Sequence, residues 1–392
     1  MSILDSLPGT EVGYITLLFL LIVVPRAALP LRIPAAVTAF GIGIAAALGA
    51  GIFIDDSTVR LLSTFGIVSL FLLAGLDVEF SELYKGRKMI LVHLVQRMAL
   101  YGGTAWVLAM TLDLPIRPAL VASLALMTPS TGFILDSLDA FGLSESERFW
   151  VKSHAITSEV LALLVLFVVM QSESLTRLST ASGWLLAMLV ALPALYWLFS
   201  RTIALWAPRS EFAFLLLVAV VSALGTKQLG VYYLVGAFVA GLVARMVRSK
   251  VPAMSSPPLM HAIELFASFF VPFYFFRAGT SLPREAFSID ALWLGIIFFV
   301  SALAVRVALT VASRRILLGE AMSESLRVAV PLLPTIVFTL VLAGILRESF
   351  NVSLPIIGGL IIYAVANTIL PGFVIGRATP SVSVMEQRSE II

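Results

Sequence analysis

Thirteen apolar stretches, each about as long as a bilayer-spanning helix, follow one another along this chain with short polar joints between them. A hydrocarbon core about 30 Å thick takes about 20 residues of α-helix. The spans read as 12–29, 33–52, 58–78, 89–112, 117–136, 149–170, 183–206, 211–229, 231–247, 260–281, 291–313, 326–346 and 354–376. Only 12% of the residues are charged and 60% are hydrophobic, where a soluble domain carries about 25% charged residues. The chain is therefore expected to be an all-α polytopic membrane protein. The first stretch lacks a basic leader, so it reads as a retained span and not as a cleaved signal. The absence of cysteine excludes disulfides and thiolate metal sites. His93, His154 and His261 are too scattered in sequence to argue for a transition-metal site.

The basic residues orient the spans. Cytoplasmic loops are enriched in Lys and Arg. One alternating set of loops holds Arg60, Arg117, Arg177, Lys227, Arg284 and Arg347. The other holds seventeen, from Arg26 and Arg32 through Lys85, Arg209 and Lys250 to Arg377 and Arg388. This asymmetry predicts an outside N-terminus, a cytoplasmic C-terminus and an odd number of spans in a cell inner (plasma) membrane. With the basic residues so placed, the pI near 9.3 is no nucleic-acid signal. Arg97, Arg277 and Arg306 are left inside spans.

A repeat emerges at about two hundred residues. Ala39-Phe40 with Gly43 matches Ala237-Phe238 with Gly241, Phe71 with Ala74-Gly75 matches Phe275 with Ala278-Gly279, and Pro129 matches Pro334. The offsets are 198, 204 and 205. Six spans, a linker span and six more put the second copy in upside down, and inverted repeats are a transporter signature. The fifth span carries Met127-Thr128-Pro129-Ser130-Thr131, and the twelfth carries Pro331-Leu332-Leu333-Pro334-Thr335. Proline removes a backbone donor and breaks a helix. Paired breaks in corresponding spans point to a midplane site; a plain proline kink is the simpler alternative.

Glu159 stands near the middle of the sixth span, about 15 Å from its start at 1.5 Å per residue. A charge at that depth costs about 2.5–3.5 kcal/mol on insertion scales and marks a functional site by default. A carboxylate suits a hard cation, and Thr128, Thr157 and Ser158 could supply further oxygens. Low dielectric disfavours the charged form, so a proton and a cation can compete there. The alternative is a structural ion pair. Arg306 has no carboxylate in its own span. It stays protonated, and it can hold Glu159 or neutralise a half-helix C-terminus. Arg97 precedes Arg306 by 209 residues and is its candidate counterpart at the other break, or else faces a neighbouring helix. Arg277 reads as snorkelling, Asp77 and Glu79 as a solvated edge, and Asn367 as a partner for a broken helix.

With these residues in view, the chain resembles the monovalent cation:proton antiporter superfamily, in particular its bacterial sodium/proton and potassium-efflux branch. The resemblance spans all thirteen segments. It rests on Phe71-Leu72-Leu73-Ala74-Gly75-Leu76-Asp77, Met127-Thr128-Pro129-Ser130-Thr131, Ala155-Ile156-Thr157-Ser158-Glu159-Val160-Leu161 and Val271-Pro272-Phe273-Tyr274-Phe275-Phe276 with Gly279. It implies a sodium/proton antiporter fold over 1–392: two inverted six-helix repeats with crossed discontinuous helices. Helices one to three and eight to ten would form a dimer panel. Helices four to six and eleven to thirteen would form a transport core, with helix seven as linker; the soluble regulatory domain of many potassium-efflux relatives is not expected here. It implies a homodimer in lipid that moves the core elevator-like, and no cofactor. The family's paired Asp-Asp, Asn-Asp or Gln-Asp falls on Ser158-Glu159, and its basic residue on Arg306. Glu is one methylene longer than Asp, and Ser can neither ionise nor offer an amide. A Glu found on the third helix in some branches would fall near Leu72 or Leu73 and is absent.

The expected function is exchange of sodium or potassium for protons, one for one and electroneutral, with Glu159 as the shared site. Two alternatives are a non-transporting scaffold or sensor subunit on the same fold, and a proton-coupled carrier of another small solute. No nucleophile, metal or phosphate motif suggests an enzyme.

Overall fold

The structure, a computed structural model, describes residues 10–80, 84, 86–207, 210–228, 230, 233–248 and 256–375. Lys85, Arg209, Lys250, Arg377 and Arg388 of the orientation count lie outside these residues. The described chain is helical: α1 (Glu11–Ala28), α2 (Ala35–Ile44, running on into a π turn over Ala45–Ala50), α3 (Ser57–Leu76), α4 (Arg87–Leu112), α5 (Ile116–Met127), α6 (Thr131–Ser137), α7 (Glu145–Gln171) and α8 (Leu175–Arg201). It continues with α9 (Glu211–Gln228), α10 (Tyr233–Val247), α11 (Pro257–Thr280), α12 (Ile289–Leu318), α13 (Met322–Ala329), α14 (Ile336–Phe350) and α15 (Leu354–Ile375).

Among the described residues, nine helices are long and apolar enough to cross a membrane, or ten when the bent pair α13–α14 counts as one span. This is a multi-pass membrane protein. The expected segments 33–52 and 231–247 are shorter apolar helices, and 89–112 falls on the 26-residue α4, whose buried face carries His93 and Arg97. Local chemistry moves several boundaries. α8 begins at Leu175 and not near 183, because the Ser174 hydroxyl caps it by accepting from Arg177 N at 3.2 Å. α12 runs past 313 to Leu318 and stops where Gly319 turns left-handed, at φ +67°.

Two compact units make up the chain. The first comprises residues 1–59, 86–162 and 275–392. In it α4 packs on α5, α12 and α14 pack on α15, and α14 packs on α5. The second comprises residues 60–85 and 163–274, in which α10 packs on α8 and α9. Tyr196 on α8 donates to Ala240 O at 3.1 Å there.

Each unit contains a crossing at which glycines on both helices admit the facing backbone. In the first, a Cβ on Gly43 of α2 would lie 2.1 Å from Phe276 O of α11, and one on Gly279 of α11 would lie 2.3 Å from Phe40 O of α2. In the second, a Cβ on Gly75 of α3 would meet Phe238 O of α10 at 2.3 Å, and one on Gly241 of α10 would meet Leu72 O of α3 at 2.2 Å. Without a driving force from water, membrane helices associate through such close backbone contact. All four glycines belong to the repeat matches.

Gly43→Val is expected to destabilise the protein by at least about 1–3 kcal/mol, the usual penalty for overpacking. Gly41→Ala, where a Cβ meets nothing within 4 Å, is expected to be neutral or mildly stabilising. Thermal unfolding of the detergent-solubilised variants checks this, and equal midpoints for Gly43→Val and the parent would contradict it.

Candidate functional site

The site forms where two helices stop short. Helix α5 ends at Met127, and Thr128-Pro129-Ser130 leads into α6. The last four carbonyls of a helix lack intrahelical partners, and in lipid each needs one. Here each has one. Leu124 O accepts from Thr128 N at 3.0 Å. Ala125 O, which Pro129 cannot serve, accepts from the Thr339 hydroxyl of α14 at 2.7 Å. Leu126 O accepts from the Tyr363 hydroxyl of α15. Met127 O accepts from the Arg97 guanidinium of α4 at 3.0 Å.

The second break lies between α13 and α14, which are bent by 49° where they meet. Arg306 of α12 donates to Leu332 O and, at 2.9 Å, to both Leu333 O and the Tyr363 hydroxyl. Asn367 of α15 donates through its amide nitrogen to Leu333 O and Tyr363. The two breaks touch directly. Ser130 N donates to Pro334 O at 2.8 Å, and Phe338 N donates to the Ser130 hydroxyl at 3.3 Å.

Glu159 reaches this crossing from α7. Its side chain is 4% exposed, and Oε2 accepts from Thr131 N at 3.0 Å, the first backbone donor of α6. Among the described residues no basic side chain forms an ion pair with it. The sequence left two roles for Arg306, and its contacts here are with carbonyls of the second break, where the bent backbone leaves acceptors that a guanidinium fork suits. Among the described residues the buried Thr131 hydroxyl beside Glu159 has no partner, and the same holds for the Thr335 hydroxyl and Asn367 Oδ1. Thr128 donates to the Tyr101 hydroxyl at 3.1 Å, and Tyr101 donates to Ser158 O at 3.3 Å. The hydroxyls of Thr157 and Ser158 turn back onto their own helix, to Ser153 O and His154 O, both at 2.6 Å.

Chemically, this is a carboxylate with one spare oxygen, several hydroxyl oxygens and two fixed guanidiniums, all withdrawn from water. Hard cations without their hydration shell take such oxygen ligands. Pro129, Ser130, Thr131, Pro334, Thr335, Arg97, Arg306, Asn367 and Glu159 all meet at the crossing, whereas Thr157 is drawn off by its own helix. Sequence reasoning missed Tyr101, Thr339 and Tyr363, and it set His93 aside. The missing signal was polar spacing: His93, Arg97 and Tyr101 recur every four residues on α4, one face of a helix.

The model of the transmembrane sodium/hydrogen exchanger family matches residues 15–379. The chain belongs to this family. The resemblance to monovalent cation:proton antiporters read from the sequence therefore holds. The exchanger chain is 24% identical over 307 residues to the Na(+)/H(+) antiporter NhaS5 of Synechocystis sp. (strain ATCC 27184 / PCC 6803 / Kazusa), an alignment covering 70% of this chain and 40% of that protein. It thus spans well under half the length of that relative. Its fold is similar to that of the sodium proton antiporter MjNhaP1 from Methanocaldococcus jannaschii, solved at pH 8, with a TM-score of 0.69, 17% identity and coverage of 93% of this chain and 95% of that one.

Arg306→Met is expected to strip the guanidinium from Leu332 O and destabilise the protein by about 1–3 kcal/mol, the penalty of one unpaired buried polar group. Arg306→Lys should recover part of that loss. A Met variant that melts at or above the parent temperature would contradict the capping role.

Proposed function

We propose that this exchanger-family protein swaps a monovalent cation, sodium or potassium, for protons, with Glu159 as the site both occupy in turn. The observation that carries this reading is the state of the Glu159 carboxylate. It is buried at the crossing, held by a backbone N–H, free of any ion pair among the described residues, and flanked by the unpartnered Thr131 oxygen. A carboxylate locked to arginine would have no reason to take up either ion. One held only by an amide can bind a proton or a metal cation with comparable gain. Thr128 and Thr131 would complete the oxygen set, with Ser158 and Thr157 adjoining.

The cycle moves one charge in each direction. Glu159 is the group taken to change state, so exchange is one for one and electroneutral. We further propose that thirteen helices cross the bilayer as two inverted repeats, with an outside N-terminus and a cytoplasmic C-terminus in the plasma membrane. The paired glycine crossings of α2 with α11 and α3 with α10 support the repeat. In this scheme α4–α7 with α12–α15 carry the site past a homodimeric panel of α1–α3 and α9–α11, linked by α8.

In proteoliposomes, Glu159→Gln should abolish cation-dependent proton flux while the protein still elutes as a folded species. Wild-type-like flux would remove Glu159 from the mechanism. Flux in the parent protein should not respond to clamped voltage. A net charge per cycle would couple to the field at about 2.3 kcal/mol per 100 mV, so a steep voltage dependence contradicts the one-for-one stoichiometry.

A further inference from the structure

Next to Glu159, Ser158 is fully buried and its hydroxyl is engaged on two sides. Ser158 Oγ lies 2.6 Å from His154 O and 2.9 Å from His93 Nε2. A serine hydroxyl has one proton. The carbonyl of His154 can only accept, so that proton goes to it. The short contact with His93 must then be an imidazole N–H donating into the serine oxygen, which fixes the Nε2–H tautomer of His93. Stacking holds the imidazole in this position, with the His154 ring 4.0 Å away between centroids and 8° between planes. His154 in turn meets Trp150 edge to face at 5.7 Å. Both histidines are buried.

The consequence concerns the oxygens proposed above as ligands of the cation. Thr131 Oγ1 is unpartnered, and Thr128 Oγ1 gives its proton to Tyr101 while keeping its lone pairs. Ser158 Oγ differs, because the His93 N–H occupies one of its two lone pairs and its own proton is committed to His154 O. We propose that His93 is a specificity-determining positioning residue that weakens the Ser158 oxygen as a ligand for the transported cation. The inference rests on the exchange reading above and deepens it. A site with fewer oxygens favours the smaller ion, since larger cations take more ligands. His93 thus biases the site toward sodium over potassium without touching either.

The test compares apparent KM for sodium and potassium in proteoliposomes for three variants. His93→Phe keeps a ring to stack on His154 and removes the donor. It should release the Ser158 oxygen and lower the potassium KM relative to the sodium KM by about three- to tenfold, the range a single hydrogen bond covers, with the maximal rate little changed. His93→Gln supplies an amide N–H and should restore the parent ratio. His154→Phe keeps the stack and the His93 donor, so its ratio should match the parent. An unchanged ratio in His93→Phe, or the same shift in all three variants, overturns the proposal and leaves His93 as packing. Nitrogen NMR of the labelled imidazole in the parent protein gives a reading independent of variant folding: an Nε2–H tautomer supports the proposal and an Nδ1–H tautomer overturns it. Absence of any cation-dependent proton flux in the parent protein would instead fail the exchange reading itself.

Discussion

Backbone carbonyls freed at depth in a membrane govern this structure. Two prolines interrupt two helices where no water can satisfy what is exposed, and an unmet carbonyl there costs several kcal/mol. The chain answers with side chains from three other helices, Arg97, Arg306 and Tyr363 aided by Asn367, and with Thr339 of the second broken span itself. That requirement fixes which faces of α4, α12, α14 and α15 turn inward. It also settles how the buried charges are shared out. Each guanidinium meets the negative end of a half-helix, and the Glu159 carboxylate is left to an amide.

This division of labour links packing to proposed transport. If the arginines neutralised Glu159, the site would be an inert ion pair, and the carbonyls would need other donors. Because the carbonyls hold the arginines, the scaffold keeps its charge balance at the breaks whatever Glu159 binds. The carboxylate can then change state without loosening the crossing. Its amide donor, Thr131 N, begins α6, so in the proposed cycle a change at Glu159 would be felt directly by a helix terminus.

Much of this was legible in the sequence, and the reasons are physical. Pro129 and Pro334 stand out because each is followed closely by threonine and they lie 205 residues apart; proline alone was not enough, since Pro25, Pro193, Pro272 and Pro371 lie inside unbroken helices. Glu159 and Arg306 stand out because charge is scarce in such runs. The repeat glycines were visible as weak matches, and their purpose became plain only when backbones met within Cβ distance. The role of Arg306 could not be chosen from sequence, since a carboxylate and a freed carbonyl are both good acceptors and only geometry ranks them. Tyr363 and Tyr101 were overlooked because tyrosine is ordinary in membrane helices; what distinguishes them is a hydroxyl delivered to a particular carbonyl. His93 was dismissed as a metal ligand, and its contact with Ser158 depends on two helices whose facing the sequence does not state.

The central claim is that one buried carboxyl serves both ions, so that a cation displaces a proton. Counting protons tests it most directly. Purified protein, equilibrated in weakly buffered detergent solution, is titrated with sodium or potassium chloride while an indicator follows proton release. The account predicts release that rises towards one proton per bound cation as the starting pH is lowered and Glu159 begins protonated. Saturable cation binding with no proton release at any pH would contradict it.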